Sequence, residues 1–351
     1  MFNTKSLTLA SALAALLATS ALAAPMVYIP VGSAGKIEVV DGATGTIVTE
    51  YTGLEAVHGL AGTPDGRFLI AGSYAERAPG EQAADKPEGV SAEDHAAHHA
   101  ASEPSEAEGP VAISTVSILR ADTGELVRAV DVPGAVHHVS TSPDGRFAAV
   151  TQPGDDAVSV IDLQSYEVTT IKTGSLPNYM VFSPDSSLLY VSNAGDDNIA
   201  VIGTTHWMVQ SRLATGATPE HMVLSPDGAM LYVNNNDDGT VSAIALATGA
   251  MVDTYPIGER LHGLDLVEDS SALLVAERDG DNVARIDLAA GTVSKLAMGP
   301  SPYHLTTITG TGLAYVSSSD DAVMKIIRQD DLSMVGEIAI GDVGHQMVVM
   351  P

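Results

Sequence analysis

Seven of the eleven histidines in this 351-residue chain fall in two adjacent positions of one repeated segment. The first position lies six residues before a turn proline, or at its aligned equivalent. It reads His58, His137, Asn178, Glu220, His262, Tyr303 and His345. The next position reads Gly59, His138, Tyr179, His221, Gly263, His304 and Gln346. Neutral imidazoles joined by a carboxylate are the donor set of Zn²⁺ or another borderline divalent ion. A single histidine at such a place more often hydrogen-bonds a loop, so the metal argument rests on convergence of the whole row. If the repeats close into a ring, His345, His58 and His137 come from neighbouring units and form the first-choice ligand cluster. Glu220 and His262 come next, with His138, His221 and His304 in the second row. Strand alternation aims the two rows in different directions. Met180, Met222 and Met347 lie nearby, which brings copper into view behind zinc.

The repeat that carries these residues is legible. His58-Gly-Leu-Ala-Gly-Thr-Pro-Asp-Gly66 matches His137-His-Val-Ser-Thr-Ser-Pro-Asp-Gly145 position for position. Asn178-Tyr-Met-Val-Phe-Ser-Pro-Asp-Ser186 and Glu220-His-Met-Val-Leu-Ser-Pro-Asp-Gly228 follow the same pattern, and degenerate copies begin at His262, Tyr303 and His345. The starts are 41 to 42 residues apart, except for a first interval of 79. Such a period holds four short strands and their turns, the length of a propeller blade. In each unit an apolar strand A ends at the Pro-Asp turn. Strand B follows, as in Leu189-Tyr-Val-Ser-Asn193, and then strands C and D.

The termini complement each other. Tyr28-Ile-Pro-Val-Gly-Ser-Ala-Gly-Lys-Ile37 aligns with Tyr190-Val-Ser-Asn-Ala-Gly-Asp-Asp-Asn-Ile199. The N-terminal stretch therefore supplies strands B, C and D of a last blade, and residues 345–351 supply its strand A. The expected fold is all-β, a seven-bladed β-propeller over residues 24–351 closed by strands from both ends.

The Ser-Pro-Asp-Gly turns followed by Tyr-Val-Ser-Asn or Tyr-Val-Asn-Asn resemble the YVTN-repeat propellers, including YncE-like exported proteins, over residues 26–351. The resemblance implies fold and leaves function open. The wider group spans a haem-carrying propeller, lactonases, and metallochaperones of periplasmic zinc uptake. The histidine rows bring this chain nearest to the last.

The long first interval comes from residues 76–110, rich in Glu, Ala, Ser, Gly and Pro. Nothing in it is periodic or apolar enough to pack, which predicts a loop between strands B and C of the first blade. It carries His95, His98 and His99 among acids, a metal-collecting loop on the face of the histidine rows. The other B–C turns hold Asp155-Asp156, Asp196-Asp197, Asp237-Asp238, Asp279 with Asp281, and Asp320-Asp321 on that face.

Residues 1–23 read as a secretory signal, with Lys5, an apolar run and an Ala21-Leu22-Ala23 cleavage site, so the expected location is the periplasm. The chain has no cysteine, which excludes disulfides, thiolate metal sites and c-type haem attachment. A formal charge of −28 speaks against nucleic acid and anionic membrane surfaces and in favour of cations. No nucleotide loop, nucleophile elbow or metalloprotease motif occurs.

The sequence thus points to binding rather than catalysis. The expectation is a periplasmic, zinc-binding, metallochaperone-like monomer, its partners a divalent metal ion and a periplasmic metal-uptake binding protein. The alternatives are a propeller that binds haem or a small substrate, and a protein-interaction scaffold.

Overall fold

The computed structural model describes residues 24–81 and 112–351. They form seven four-stranded antiparallel sheets. The first six blades in chain order are built from β4 (Val57–Gly62) to β27 (Met334–Ala339), four consecutive strands each. The seventh joins the C-terminal β28 (Val348–Met350) to β1 (Met26–Val31), β2 (Lys36–Asp41) and β3 (Thr46–Thr52). Register is Met26 opposite Met350, Val27 opposite Val349 and Tyr28 opposite Val348. The ring therefore closes through paired backbone from the two ends, leaving no open inner edge.

Local chemistry explains the strands. In β13 (Leu188–Asn193) and β17 (Met230–Asn235), apolar and β-branched residues dominate and five of six positions are buried. Middle strands touched by neighbouring blades on both faces need not alternate polar and apolar. The outermost strands do not share this burial: β19 (Ala250–Pro256) buries only Tyr255. Between strands B and A a hydroxyl organises the Pro-Asp turn. Ser183 Oγ donates to Asp185 at 2.6 Å and accepts the Leu188 N–H at 2.9 Å. Thr63, Ser142 and Ser225 repeat this with Asp65, Asp144 and Asp227.

The core sits between blades rather than at one centre. Tyr232 and Val241 of the fourth blade pack with Leu264, Leu273 and Val275 of the fifth. At the closure Met350 joins Leu60 and Leu69 of the first blade, and Tyr28 and Tyr51 both donate to the Ala121 carbonyl, at 3.0 and 2.7 Å. Among the described residues no helix is long and apolar enough to cross a membrane.

Candidate functional site

The two histidine rows lie at the start of each innermost strand. These are β4, β12 (Pro177–Phe182), β16 (Pro219–Leu224), β20 (Leu261–Leu266) and β24 (Pro302–Ile308), with His137 and His138 just before β8 (Val139–Thr141) and His345 and Gln346 just before β28. The ladder slips at this point. Pro177 pairs with Asn193 and Met180 with Val191, so Asn178 and Tyr179 face the single residue Ser192. The same slip falls between Pro219 and Met222, Leu261 and Leu264, and Pro302 and Leu305. In these four blades the row pair therefore occupies a β-bulge, where two residues oppose one and strict alternation ends. This is why the rows do not diverge as simple strand geometry demands.

A bulge frees a backbone N–H, and strand B supplies its acceptor. His138 N–H donates to Thr151 Oγ1 at 2.9 Å, Tyr179 N–H to Ser192 Oγ at 2.9 Å, and His304 N–H to Ser317 Oγ at 3.1 Å. The hydroxyl in Tyr190-Val191-Ser192-Asn193 thus holds the bulge, a role not visible in the motif itself. Glycine makes the room. A Cβ on Gly59 would lie 2.7 Å from the His137 carbonyl oxygen, and one on Gly263 would lie 2.5 Å from Leu305 N and 2.6 Å from Tyr303 O. These two glycines let the next blade's inner strand come close, and that strand presents His138 or His304. The signal was present in the second row, where each Gly is followed by a His one blade on.

The result is a buried imidazole cluster drawn from four blades. His138, His221, His262 and His304 each offer a ring nitrogen, and the four nitrogens lie within 4.8 Å of one another. His138 is 0 % exposed and none of the others exceeds 4 %. Two rings have a fixed tautomer. His138 Nδ1 lies 2.8 Å from the Asn178 carbonyl oxygen, which can only accept, so Nδ1 carries the proton and Nε2 a lone pair. His262 Nδ1 donates to Glu220 Oε2 at 2.7 Å, while Glu220 Oε1 accepts from Asn236 Nδ2 at 2.8 Å. The Tyr303 ring stacks on His262 at 3.9 Å between centroids, and Tyr179 stacks on His221 at 4.3 Å.

Burial holds the His304 imidazole well below its usual pKa, and the adjoining His262, His221, His138 and His345 add to the effect. It is therefore neutral at neutral pH. Its Nε2 is buried and makes no hydrogen bond among the described residues. Burial, then the Glu220 charge, pushes the Tyr303 hydroxyl well up, and burial followed by Asp265 raises Tyr179 to about 12.

His345, His58 and His137 also meet, in a different way. His58 and His345 stack with ring centroids 4.2 Å apart, and His58 lies 4.8 Å from His137. His58 Nδ1 donates to the His137 carbonyl oxygen at 2.8 Å. The first-choice trio thus meets ring against ring, His345 stacked on His58 and His137 tilted against it. The convergence of ring nitrogens falls instead on His262 and the second row. Gln346 ties the closure together: its Oε1 accepts from Leu60 N–H and Val139 N–H at 3.2 and 3.0 Å.

The B–C turn acids have structural employment. Asp156 Oδ1 accepts from Leu176 N–H at 3.0 Å, Asp197 Oδ1 from Thr218 N–H at 2.9 Å, and Asp281 Oδ1 from Ser301 N–H at 2.8 Å. Each caps a loop leading to the next blade, and their charge remains on the histidine face. The insertion leaves and returns on this face as expected. Arg77 and Ile113 exchange backbone hydrogen bonds at its base, and Tyr74 lies 5.3 Å from His58. His95, His98 and His99 lie outside the described residues.

The family model described as Lactonase, 7-bladed beta-propeller, matches residues 170–255, the span of the third and fourth blades. None of the curated proteins matches the chain. Among solved structures, a putative 6-phosphogluconolactonase from Bacteroides fragilis superposes with a TM-score of 0.72 at 16% identity, covering 93% of this chain and 98% of that one. The Pseudomonas aeruginosa periplasmic gluconolactonase gives 0.69 at 16% identity, over 93% and 99%. Kuenenia stuttgartiensis hydrazine synthase gives 0.65 at 21% identity, over 85% and 90%. At such identities the likeness is one of fold. These findings correct the functional expectation. The matching family model and the neighbours with the higher TM-scores are lactonase propellers, and this overturns the reading of the chain as a metal-handing chaperone.

Proposed function

We propose that the chain is a lactonase-type hydrolase that opens a small, uncharged cyclic ester at the histidine face of the propeller. The observation that carries this is the buried Glu220–His262 pair. Glu220 holds the Nδ1 proton of His262 and leaves Nε2 as a lone pair among three further imidazoles. That arrangement prepares water for attack, whether by accepting its proton or by holding a Lewis acid beside it. Water adds to the ester carbonyl, the ring C–O bond breaks, and the alkoxide takes back the proton to give a hydroxy acid. The family match over residues 170–255 includes Glu220 and His221 and supports the same class. The Tyr-Val-Ser-Asn and Tyr-Val-Asn-Asn strands support a YVTN-repeat affiliation within it.

Charge narrows the substrate. Asp155, Asp156, Asp196, Asp197, Asp237 and Asp238 crowd this face in a chain of formal charge −28. A phosphorylated lactone meets repulsion there, whereas a neutral sugar lactone does not. The signal-like residues 1–23 support a periplasmic location.

The test is acid release from five- and six-membered aldonolactones by the full chain at neutral pH. Wild type should exceed the spontaneous rate, and Glu220→Gln and His262→Ala should each lose about 100-fold or more in kcat/KM. Failure to accelerate any neutral lactone, or full activity in both variants, overturns the reading.

A further inference from the structure

We propose that His138, His221, His262 and His304 bind one divalent transition-metal ion of the zinc class. The ion's catalytic consequence rests on the hydrolase reading above, but its binding stands on geometry alone. The four ligands come from the second, fourth, fifth and sixth blades, so only the closed ring brings them together. Their ring nitrogens already lie within 4.8 Å of one another. A zinc tetrahedron with nitrogen at about 2.0–2.1 Å needs separations of roughly 3.4 Å, which small side-chain rotations supply.

The outer bonds fit a ligating role. A ligand histidine ordinarily gives its other N–H to a carbonyl or carboxylate, which fixes the ring and strengthens the donor. His138 does this with the Asn178 carbonyl and His262 with Glu220, so each turns Nε2 inward. His304 places in the same space a buried Nε2 that makes no hydrogen bond among the described residues. An all-imidazole set favours zinc, copper, nickel or cobalt over magnesium or calcium. Glu220, hydrogen-bonded to Asn236 as well, contributes negative charge behind one ligand. Bound there, the ion would supply Lewis-acid chemistry beside the ester, provided its coordination expands beyond the four imidazoles to admit a water or substrate oxygen.

The experiment uses the full chain stripped by chelator, with Zn²⁺ titrated by calorimetry and Co²⁺ read by its visible absorption. One ion per chain is expected, with the intense absorption of cobalt held by few, nitrogen-rich ligands. His221→Ala and His304→Ala should weaken Zn²⁺ binding at least 100-fold while circular dichroism stays that of the propeller. Glu220→Gln should weaken it about 10–100-fold, as loss of an outer-shell partner does. His58→Ala, in the adjacent ring stack, should leave it unchanged. Absence of binding tighter than millimolar in the wild-type protein overturns the proposal. So does binding that His58→Ala abolishes and His304→Ala leaves intact. Tight Zn²⁺ without lactone turnover sinks the hydrolase reading alone, and turnover in the metal-stripped chain sinks the catalytic role of the ion alone.

Discussion

The two ends of the inner strands follow opposite rules. At the far end the first four blades repeat one device: Thr63, Ser142, Ser183 and Ser225 each donate to an Asp two residues on, every time at 2.6 Å. At the histidine end the backbone repeats but the side chains do not. The same bulge carries Asn178 with Tyr179, Glu220 with His221, His262 with Gly263, and Tyr303 with His304. Those four turns answer the same local need, so their chemistry is uniform. A site on the ring's axis needs a different group from each blade, so its chemistry varies over a constant frame. In a repeat protein the scaffold is found where side chains agree and the site where they disagree on agreed backbone.

Three perturbations test how separate the two ends are. The largest effect should come from removing residues 345–351. This deletes β28, which pairs with β1, and takes Met350 out of the closure core. An unpaired inner edge and a lost apolar anchor should bring aggregation or a fall in melting temperature of about 10 °C or more. An unchanged melting curve would mean that the ring does not depend on its shared blade.

Next in size is Gly263→Ala. The added methyl would meet backbone of the next blade, including Leu305 N at 2.5 Å. Backbone cannot rotate aside as a side chain can, so about 1–3 kcal/mol of stability should be lost. His304 should also be displaced from His262 and the site disabled. Thermal melts together with either lactone turnover or cobalt absorption check both halves. A variant of normal stability and normal site function would show that the close approach has no role.

The smallest effect should come from Ser183→Ala at the far end. It removes the hydroxyl that bonds Asp185 and the Leu188 N–H, for about 0.5–1.5 kcal/mol, with the histidine site untouched. The Ser183 hydroxyl, with Ser187 contributing, holds the Asp185 carboxyl down at about 2. A folded-state pKa below the unfolded one stabilises above the ordinary carboxylate range, and that contribution is lost as pH falls toward 2. NMR titration of Asp185 should show its pKa rise toward the ordinary value in the variant. A carboxyl that titrates identically in both proteins would remove the hydroxyl as the cause.

The blade count, the four strands per blade, the shared seventh blade and the place of the insertion were all legible in the chain. They depend on local period, turn residues and apolar pattern, and these are properties of short segments. So was the gathering of histidines at one end of the inner strands, because aligned positions in a ring must lie at one height. Which of them face one another was decided only in three dimensions. Alternation along a strand argues that rows one residue apart diverge, yet His262 of the first row joins His138, His221 and His304 of the second. The bulge that permits this depends on a hydroxyl or amide one strand away and on a glycine one blade away, such as Ser317 for His304 and Gly263 beside it. Partners so distant in sequence leave only a trace of type, a Gly followed by a His one blade on, and that trace carries no distance. Ring closure fixes their distance, and no local pattern encodes it.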